Sequence, residues 1–218
     1  MKIYILILAL WFTPVWSAEC KDFRFRETSF TACTAKLPKD DIRLFLHDKT
    51  GKNFGQFQKL GNFLNQQGLD IVFATNGGMY HADRSPVGMY VENFSEFSPL
   101  ITIEGPGNFG LLPNGVFCFN KREFVILETR KFAQAGVHCQ YATQSGPLLV
   151  INGKIHPKFI KGGPSKFIRS GVGVSTDGLE TVFLISNEPV NFHHFASVFL
   201  DHLAINNALY LDGNISRL

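Results

Sequence analysis

Short apolar segments that end in glycine-containing polar turns recur along this chain of 218 residues, and they restrict the fold to one built mainly from short strands. Apolar and polar side chains alternate at Ile42, Leu44 and Leu46, as they do in half-buried strands. Short apolar runs make the same prediction elsewhere. The predicted strands cover residues 71–74, 87–91, 115–119, 124–128, 147–151, 171–174, 181–186 and 208–211.

Two segments show the three- and four-residue spacing of apolar side chains that is typical of a helix. The first covers residues 54–67 and ends before Gly68, and the second covers residues 193–204 behind Asn191, a suitable N-cap. No linker or internal repeat divides the chain. We therefore predict an α+β fold, a single domain in which a curved, mainly antiparallel or mixed β-sheet packs with two principal helices.

The N-terminal segment has the pattern of a cleavable signal peptide. Lys2 precedes an unbroken apolar stretch over residues 3–12, and the small residues Ser17 and Ala18 follow. The stretch is too short to span a bilayer, which takes about 20 apolar residues. We predict a signal peptide over residues 1–18, a folded domain over residues 19–218, and a periplasmic or secreted protein with no stable membrane span after cleavage.

Four cysteines are candidates for two disulfides, because export would carry the chain into an oxidising compartment. Three connectivities are open. We prefer Cys20 with Cys33 and Cys118 with Cys139, since each pair closes a short loop between neighbouring predicted strands. Free buried thiols remain the alternative. The cysteine and histidine spacings of a zinc site are missing from the sequence, so no cofactor is predicted, although a divalent metal is not excluded.

The charges nearly cancel, with 21 Lys and Arg against 18 Asp and Glu and no long run of one sign. This balance argues against a nucleic-acid partner and against a binder of anionic lipid surfaces. The sequence has no nucleophile-elbow, P-loop or zinc-protease motif. The 22 Phe residues predict a bulky aromatic core, to which Phe192, Phe195 and Phe199 are assigned.

Four polar turns share one design, in which a glycine follows or interrupts polar side chains beside an apolar strand. They are Asn76-Gly77-Gly78, Gln144-Ser145-Gly146-Pro147, Arg169-Ser170-Gly171-Val172-Gly173 and Asp212-Gly213. Glycine lets a ligand approach the backbone closely, and strand ends hold the neighbouring side chains rigidly. If the four turns meet in space they form a polar pocket. Taken singly, each also fits an ordinary tight turn.

Together these motifs resemble the phosphodiester glycosidase family. The resemblance rests on Asn76-Gly77-Gly78 with Tyr80, Ser145-Gly146-Pro147, Arg169-Ser170 and the closing Asp212-Gly213 with Ser216, and it covers roughly residues 40–218. It is strongest toward small bacterial periplasmic members. One departure stands out, because Asn214 and Ile215 replace the second glycine and the small residues that usually follow Asp-Gly.

The resemblance implies an exported hydrolase that cleaves a sugar-1-phosphodiester, of the N-acetylglucosaminyl kind, in envelope or exopolysaccharide material. Its partner would be a glycosyl phosphodiester or a phosphorylated glycan. The alternative is a non-catalytic periplasmic module that binds glycan or phosphate in the same pocket. The altered turn after Gly213 leaves both open.

Three residues are the predicted catalytic set. Arg169 would bind phosphate through its planar guanidinium, Asp212 would orient or deprotonate water or stabilise the cationic sugar, and Asn76 would bind sugar hydroxyls or phosphate oxygens. The predicted substrate-binding residues are Gly77, Gly78, Tyr80, His81, Ser145, Gly146, Ser170, Gly213 and Ser216. The plain alternatives are that Arg169 pairs with an acidic side chain and that Asp212 only forms a turn.

Overall fold

The computed structural model describes residues 18–213, which contain twelve strands, three α-helices and one π-helical turn. In chain order the strands are β1 (Glu19–Phe25), β2 (Thr28–Lys36), β3 (Tyr90–Glu92), β4 (Ser95–Ser98), β5 (Gly115–Phe119), β6 (Phe124–Glu128), β7 (Tyr141–Ser145), β8 (Leu148–Ile151), β9 (Lys154–Ile155), β10 (Ser170–Val174), β11 (Glu180–Ser186) and β12 (Asn207–Tyr210). The helices are α1 (Phe57–Asn65), α2 (Thr129–Ala135) and α3 (Phe192–Ser197), and α3 continues into the π-helical turn Val198–His202.

Two antiparallel sheets organise this part of the chain. The first has the spatial order β1-β2-β11-β10-β12-β8-β9, and the second has the order β4-β3-β7-β5-β6. Because β10 lies between β11 and β12, and β8 lies beside β12, the first sheet gathers strands from distant parts of the sequence at its centre. The polar turns at the ends of these strands are thereby brought together.

The core lies between the two sheets, and each sheet carries a helix on its other face. Phe117 of the second sheet packs with Val172, Phe183 and Leu209 of the first. Behind the first sheet, Phe195 and Phe199 of the α3 segment pack on residues that include Phe30, Leu149 and Leu184. Behind the second sheet, Phe132 of α2 packs on Val91, Val116 and Ala142. The layer order is therefore α3, first sheet, second sheet, α2.

The helices begin where the local sequence satisfies their first N–H groups. The Asn191 side chain accepts a hydrogen bond from the backbone N–H of His194 at 2.8 Å, which confirms its prediction as the cap of α3. The Glu128 side chain caps α2 in the same way by accepting from the N–H of Lys131. Gly55 has a φ of +63°, which a right-handed α-helix does not accommodate. Helix α1 therefore begins at Phe57 rather than at Phe54.

The α+β class is confirmed, with two differences in detail. The β-structure is divided between two sheets, and α2 is an additional short helix. The apolar segments at residues 42–46 and 71–74 form no strand ladder. Ile42, Leu44 and Phe73 instead pack against the core between the sheets as unpaired extended chain. Their apolar side chains therefore pack on the core without strand pairing.

Both preferred disulfides are present, linking Cys20 to Cys33 and Cys118 to Cys139. Cys20 and Cys33 occupy directly paired positions of β1 and β2. The predicted signal peptide falls almost entirely on residues 1–17, outside the described residues. Between residues 18 and 213, none of the helices has the length and apolarity needed to cross a bilayer.

Candidate active site

The four polar turns meet at one end of the first sheet. β10 starts at Ser170 and runs antiparallel to β12, which ends at Tyr210, so the start of one lies beside the end of the other. The Leu211 N–H donates to the Ser170 carbonyl at 3.0 Å, and the Ser170 hydroxyl donates to the Asp212 carbonyl at 2.7 Å. The Tyr210 N–H donates to the Pro147 carbonyl at 3.1 Å, which brings the turn after Ser145 to the same place.

Asn76 ties the first turn to this end of the sheet. Its side-chain amide donates to the Leu211 carbonyl at 2.7 Å and to the Gly78 carbonyl at 3.1 Å. A Cβ on Gly78 would lie 2.9 Å from the Thr143 hydroxyl and 3.6 Å from the Ser145 Cβ, so the turn lies directly against β7. The amide of Asn76 thus positions the Asn76–Gly78 backbone, a task that the sequence analysis did not anticipate.

Asp212 and Gly213 form a turn that packs on the backbone of Arg169. Asp212 is half-buried and has a φ of +88°, a region that Asp and Asn adopt more readily than other residues with a side chain. A Cβ on Gly213 would lie 1.9 Å from the Ile168 carbonyl oxygen and 2.4 Å from the Arg169 Cα. Position 213 therefore admits only glycine in this arrangement.

The Arg169 side chain is buried, with 1% of its surface exposed. Its Nε donates to the Val190 carbonyl at 2.8 Å and its Nη2 donates to the Ser165 carbonyl at 3.1 Å. The Cζ atom lies 3.5 Å from the centre of the Phe192 ring. Burial lowers the pKa of Arg169 because desolvation disfavours its charged form, an effect that the Tyr210 hydroxyl opposes.

The acidic partner that was the plain alternative for Arg169 does not occur within residues 18–213, where no carboxylate lies within ion-pair distance of its guanidinium. The partners that hold it are neutral carbonyl groups, the Tyr210 hydroxyl and aromatic rings. A buried cation without a counter-ion is energetically unfavourable, and an anion supplied by a ligand would relieve this. The buried guanidinium of Arg169 is therefore suited to bind an anionic ligand.

Ser145 contributes a buried hydroxyl to the same region. It is fully buried at the end of β7, and its Oγ has no hydrogen-bond partner in the part of the chain that the structure describes. Buried polar atoms are nearly always hydrogen-bonded, so this hydroxyl is an exception that a ligand or water would satisfy. Gly146 follows it, and a Cβ there would lie 2.6 Å from the Asn114 Cβ.

Tyr80 and His81 lie farther along the chain from the first turn, in a loop closed by the bond from the Val87 N–H to the Met79 carbonyl. The Tyr80 ring is covered by Arg84, whose Cζ lies 4.7 Å from the ring centre. His81 is exposed, and its backbone pairs with Ser85. Ser216 lies outside the described residues.

Two aromatic residues of the site were missed as functional candidates. The Tyr210 hydroxyl accepts from the Gly213 N–H at 3.2 Å and hydrogen-bonds Arg169. Burial raises the pKa of Tyr210. Its position two residues before Asp212, at the end of an apolar run, was the available signal. Phe192 packs against the core, as predicted, and also presents its ring face to Arg169.

A cavity of about 1000 Å³ adjoins the turns. Asn76, Gly77, Gly78 and Tyr80 form part of its wall, whereas Ser145, Arg169 and Asp212 lie behind that wall and do not line it. Within residues 18–213, no group of three or more His, Cys, Asp or Glu side chains is placed to hold a metal ion.

Known proteins resemble this chain in sequence and in fold. A family model described as phosphodiester glycosidase matches residues 70–217. The uncharacterized protein YigE of Escherichia coli is 32% identical over 215 residues, which cover 98% of this chain and 84% of that protein. The catalytic domain of zebrafish N-acetylglucosamine-1-phosphodiester alpha-N-acetylglucosaminidase, auto-inhibited by its pro-peptide, superposes with a TM-score of 0.51 at 14% identity and covers 89% of this chain and 69% of that one.

Proposed function

The chain belongs to the phosphodiester glycosidase family, and on this premise we propose that it is an exported hydrolase that cleaves a sugar-1-phosphodiester. The proposed substrate class is an N-acetylglucosaminyl phosphodiester of envelope or exopolysaccharide material. The two disulfides support export, because such bonds persist in oxidising compartments.

The observation that carries the proposal is the buried guanidinium of Arg169 beside the Asp212–Gly213 turn. Its bonds to the Val190 and Ser165 carbonyls use only some of its N–H groups. Ser165 is exposed, so its carbonyl is the contact that a phosphate oxygen would replace on entering the site. Phosphate would then provide a counter-charge, which no carboxylate of residues 18–213 supplies, and accept hydrogen bonds from the planar guanidinium.

The reaction requires little acid catalysis, because a phosphate monoester is a good leaving group. A water oxygen bonds to C1 of the sugar while the C1–O bond breaks, and the phosphate leaves with that oxygen and its electron pair. Asp212 orients the water and takes its proton, or stabilises the positive charge that develops on the sugar. The buried Ser145 hydroxyl gains its missing partner in a sugar or phosphate oxygen. Asn76 keeps the first turn in place.

The test is release of free sugar from synthetic methyl diesters of sugar 1-phosphates, N-acetylglucosamine first and several other sugars alongside. We expect Asp212→Asn to lower kcat by at least about a hundredfold, as loss of a general base does. Asp177→Asn is the matched control, since Asp177 is an exposed turn residue that bonds Ser175 and Leu179. Wild-type activity in Asp212→Asn would contradict the catalytic role of Asp212.

Arg169→Lys tests the phosphate contact in the same assay. Lysine cannot reproduce two-pronged hydrogen bonding to phosphate, so we expect kcat/KM to fall by at least about a hundredfold and inhibition by inorganic phosphate to weaken. Arg122→Lys, an exposed arginine, is the control. Tight diester binding without sugar release in the wild-type protein would favour the non-catalytic binding module.

A further inference from the structure

The cavity beside the turns is an apolar cleft with polar residues at its rim. It lies where helix α1, the segment 39–46 and the segment 69–80 meet the core between the sheets. Phe117 and Phe183 reach it from the two sheets, and Leu60 and Leu64 reach it from α1. We call it the apolar cleft.

Apolar side chains in this cleft remain exposed to an unusual degree. Phe57 is 38% exposed and Val72 is 58% exposed, and Leu69 and Ile71 line the same space with similar exposure. Large apolar groups gathered in a concave site lose contact with water when a ligand covers them. The charged side chains of Asp41 and Arg43 are exposed at the edge of the cleft. The interior thus suits an apolar ligand rather than a charged one.

The cleft and the candidate active site share a wall. Asn76 and Gly78 line the cleft on one side, and on the other side they contact the Leu211 carbonyl and the Ser145 side chain. Leu211, which precedes Asp212, also lines the cleft. The wall of Asn76, Gly77 and Gly78 separates the two, so a substituent of a phosphate bound at Arg169 would have to pass the edge of this wall to enter the apolar cleft.

We propose that the apolar cleft binds a long aliphatic chain carried by the phosphate, so that the substrate is a lipid-linked glycosyl phosphodiester. This inference rests on the proposed function. Hydrolysis of such a substrate breaks the C1–O bond, releases the free sugar and leaves the lipid as its phosphate monoester. A second sugar in this position would gain little, because its hydroxyl groups would lose hydrogen bonds to water against these walls.

The chain-length dependence of turnover tests the proposal. The whole protein is assayed with the methyl, hexyl and decyl esters of the substrate sugar 1-phosphate. Each ester is used below its critical micelle concentration. Each buried methylene tightens binding by roughly fourfold. We therefore expect KM to fall by at least about tenfold from methyl to decyl, while kcat changes by less than about twofold. An equal KM for the three esters would overturn the proposal. The same result is expected if the protein's own apolar residues 3–12 fill the cleft, and it would overturn the proposal in that case too.

A variant of the cleft wall distinguishes binding in the cleft from nonspecific hydrophobic binding of the longer esters. Phe57→Asn should reduce the logarithm of the KM ratio between the methyl and decyl esters by at least about half. Turnover of the methyl ester should be unchanged. Phe94→Asn is the matched control, because Phe94 is 68% exposed and does not line the cleft. An equal effect of both variants would overturn the assignment of the cleft.

Titration with decyl phosphate, followed by calorimetry, distinguishes failure of the inference from failure of the proposed function. Hydrolysis of the methyl ester without binding of decyl phosphate would overturn the lipid chain and leave the hydrolase intact. Binding of decyl phosphate that Phe57→Asn weakens, without cleavage of any diester, would support the cleft and overturn the hydrolase. Absence of both would overturn both.

Discussion

Gly213 and Gln144 show how single residues shape the candidate site. Gly213 brings the turn after Asp212 against the backbone of Ile168 and Arg169, where a Cβ finds no space. Gln144, buried beside Ser145, accepts from the N–H groups of Met89 and Ile101 and donates to the Ile101 carbonyl and the Thr129 hydroxyl. Gly213 was predicted as a substrate-binding residue, whereas its close packing on Ile168 and Arg169 was not foreseen. Gln144 was named in one polar turn but not as a site residue, because its partners are remote in sequence.

Gly213→Ala should destabilise the protein and impair the site together. The added Cβ would overlap the Ile168 carbonyl, which must shift with the neighbouring Arg169, and overpacking of this kind costs about 1–3 kcal/mol of unfolding free energy. Urea unfolding and kcat/KM measure the two effects. Gly105→Ala is the control, since a Cβ there meets nothing within 4 Å. Equal stability of the two variants would contradict the close packing seen at Gly213.

At the scale of elements, the site depends on strand pairing that local sequence does not encode. Glycine and polar residues next to apolar runs indicated the polar segments, although residues 170–173 belong to strand β10 rather than to a turn. Their meeting place depends on β10, β12 and β8 lying side by side in the first sheet. Ser145 ends β7 of the second sheet, whereas Asp212 follows β12 of the first. The carbonyl partners of Arg169 come from Ser165 and Val190, in loops with no motif of their own. The period of apolar residues predicts individual strands but not their division into two sheets.

Helix α3 links stability to the guanidinium, because it begins with the ring that covers Arg169. Asn191 caps α3 and also donates from its amide to the Gly163 carbonyl at 3.1 Å. We expect Asn191→Ala to lower the unfolding free energy by about 1 kcal/mol, as loss of a cap does, and to raise KM for the diester by loosening Phe192. Glu128→Ala removes the cap of α2 instead. It should weaken stability without changing KM, and a rise in KM in both variants would refute the link.

Across the whole molecule, the buried imidazole of His156 and the half-buried imidazole of His194 make stability dependent on pH. Burial lowers the pKa of His156, with Lys158 adding to the effect and the Leu112 carbonyl opposing it. Burial also lowers the pKa of His194, with the nearby cations Arg26, His193 and Lys166 contributing. The folded protein therefore binds fewer protons than the unfolded chain in the range just below the unfolded histidine pKa of about 6.5.

Unfolding free energy should be fully retained above about pH 6.5 and should fall as the pH drops below that value toward the folded pKa values. Urea unfolding at pH 7.5 and at pH 5 measures the fall. His156→Asn should reduce it, whereas His138→Asn, an exposed control, should leave it unchanged. A fall confined to the range below about pH 4 would assign acid sensitivity to carboxyl groups alone, such as Asp48, Asp83 and Asp177, whose pKa values are lowered by hydrogen bonds.

The disulfide between Cys20 and Cys33 joins the outermost strand of the first sheet to its neighbour. In a reducing cytosol this bond is absent, and noncovalent contacts retain β1, namely its ladder hydrogen bonds to β2 and the packing of Phe23 and Phe25 on the core. Each time β1 detaches, the edge of β2 becomes a template on which another chain can add a strand. Recombinant production in the cytosol should therefore give aggregates, and production by export into an oxidising compartment should give monodisperse protein.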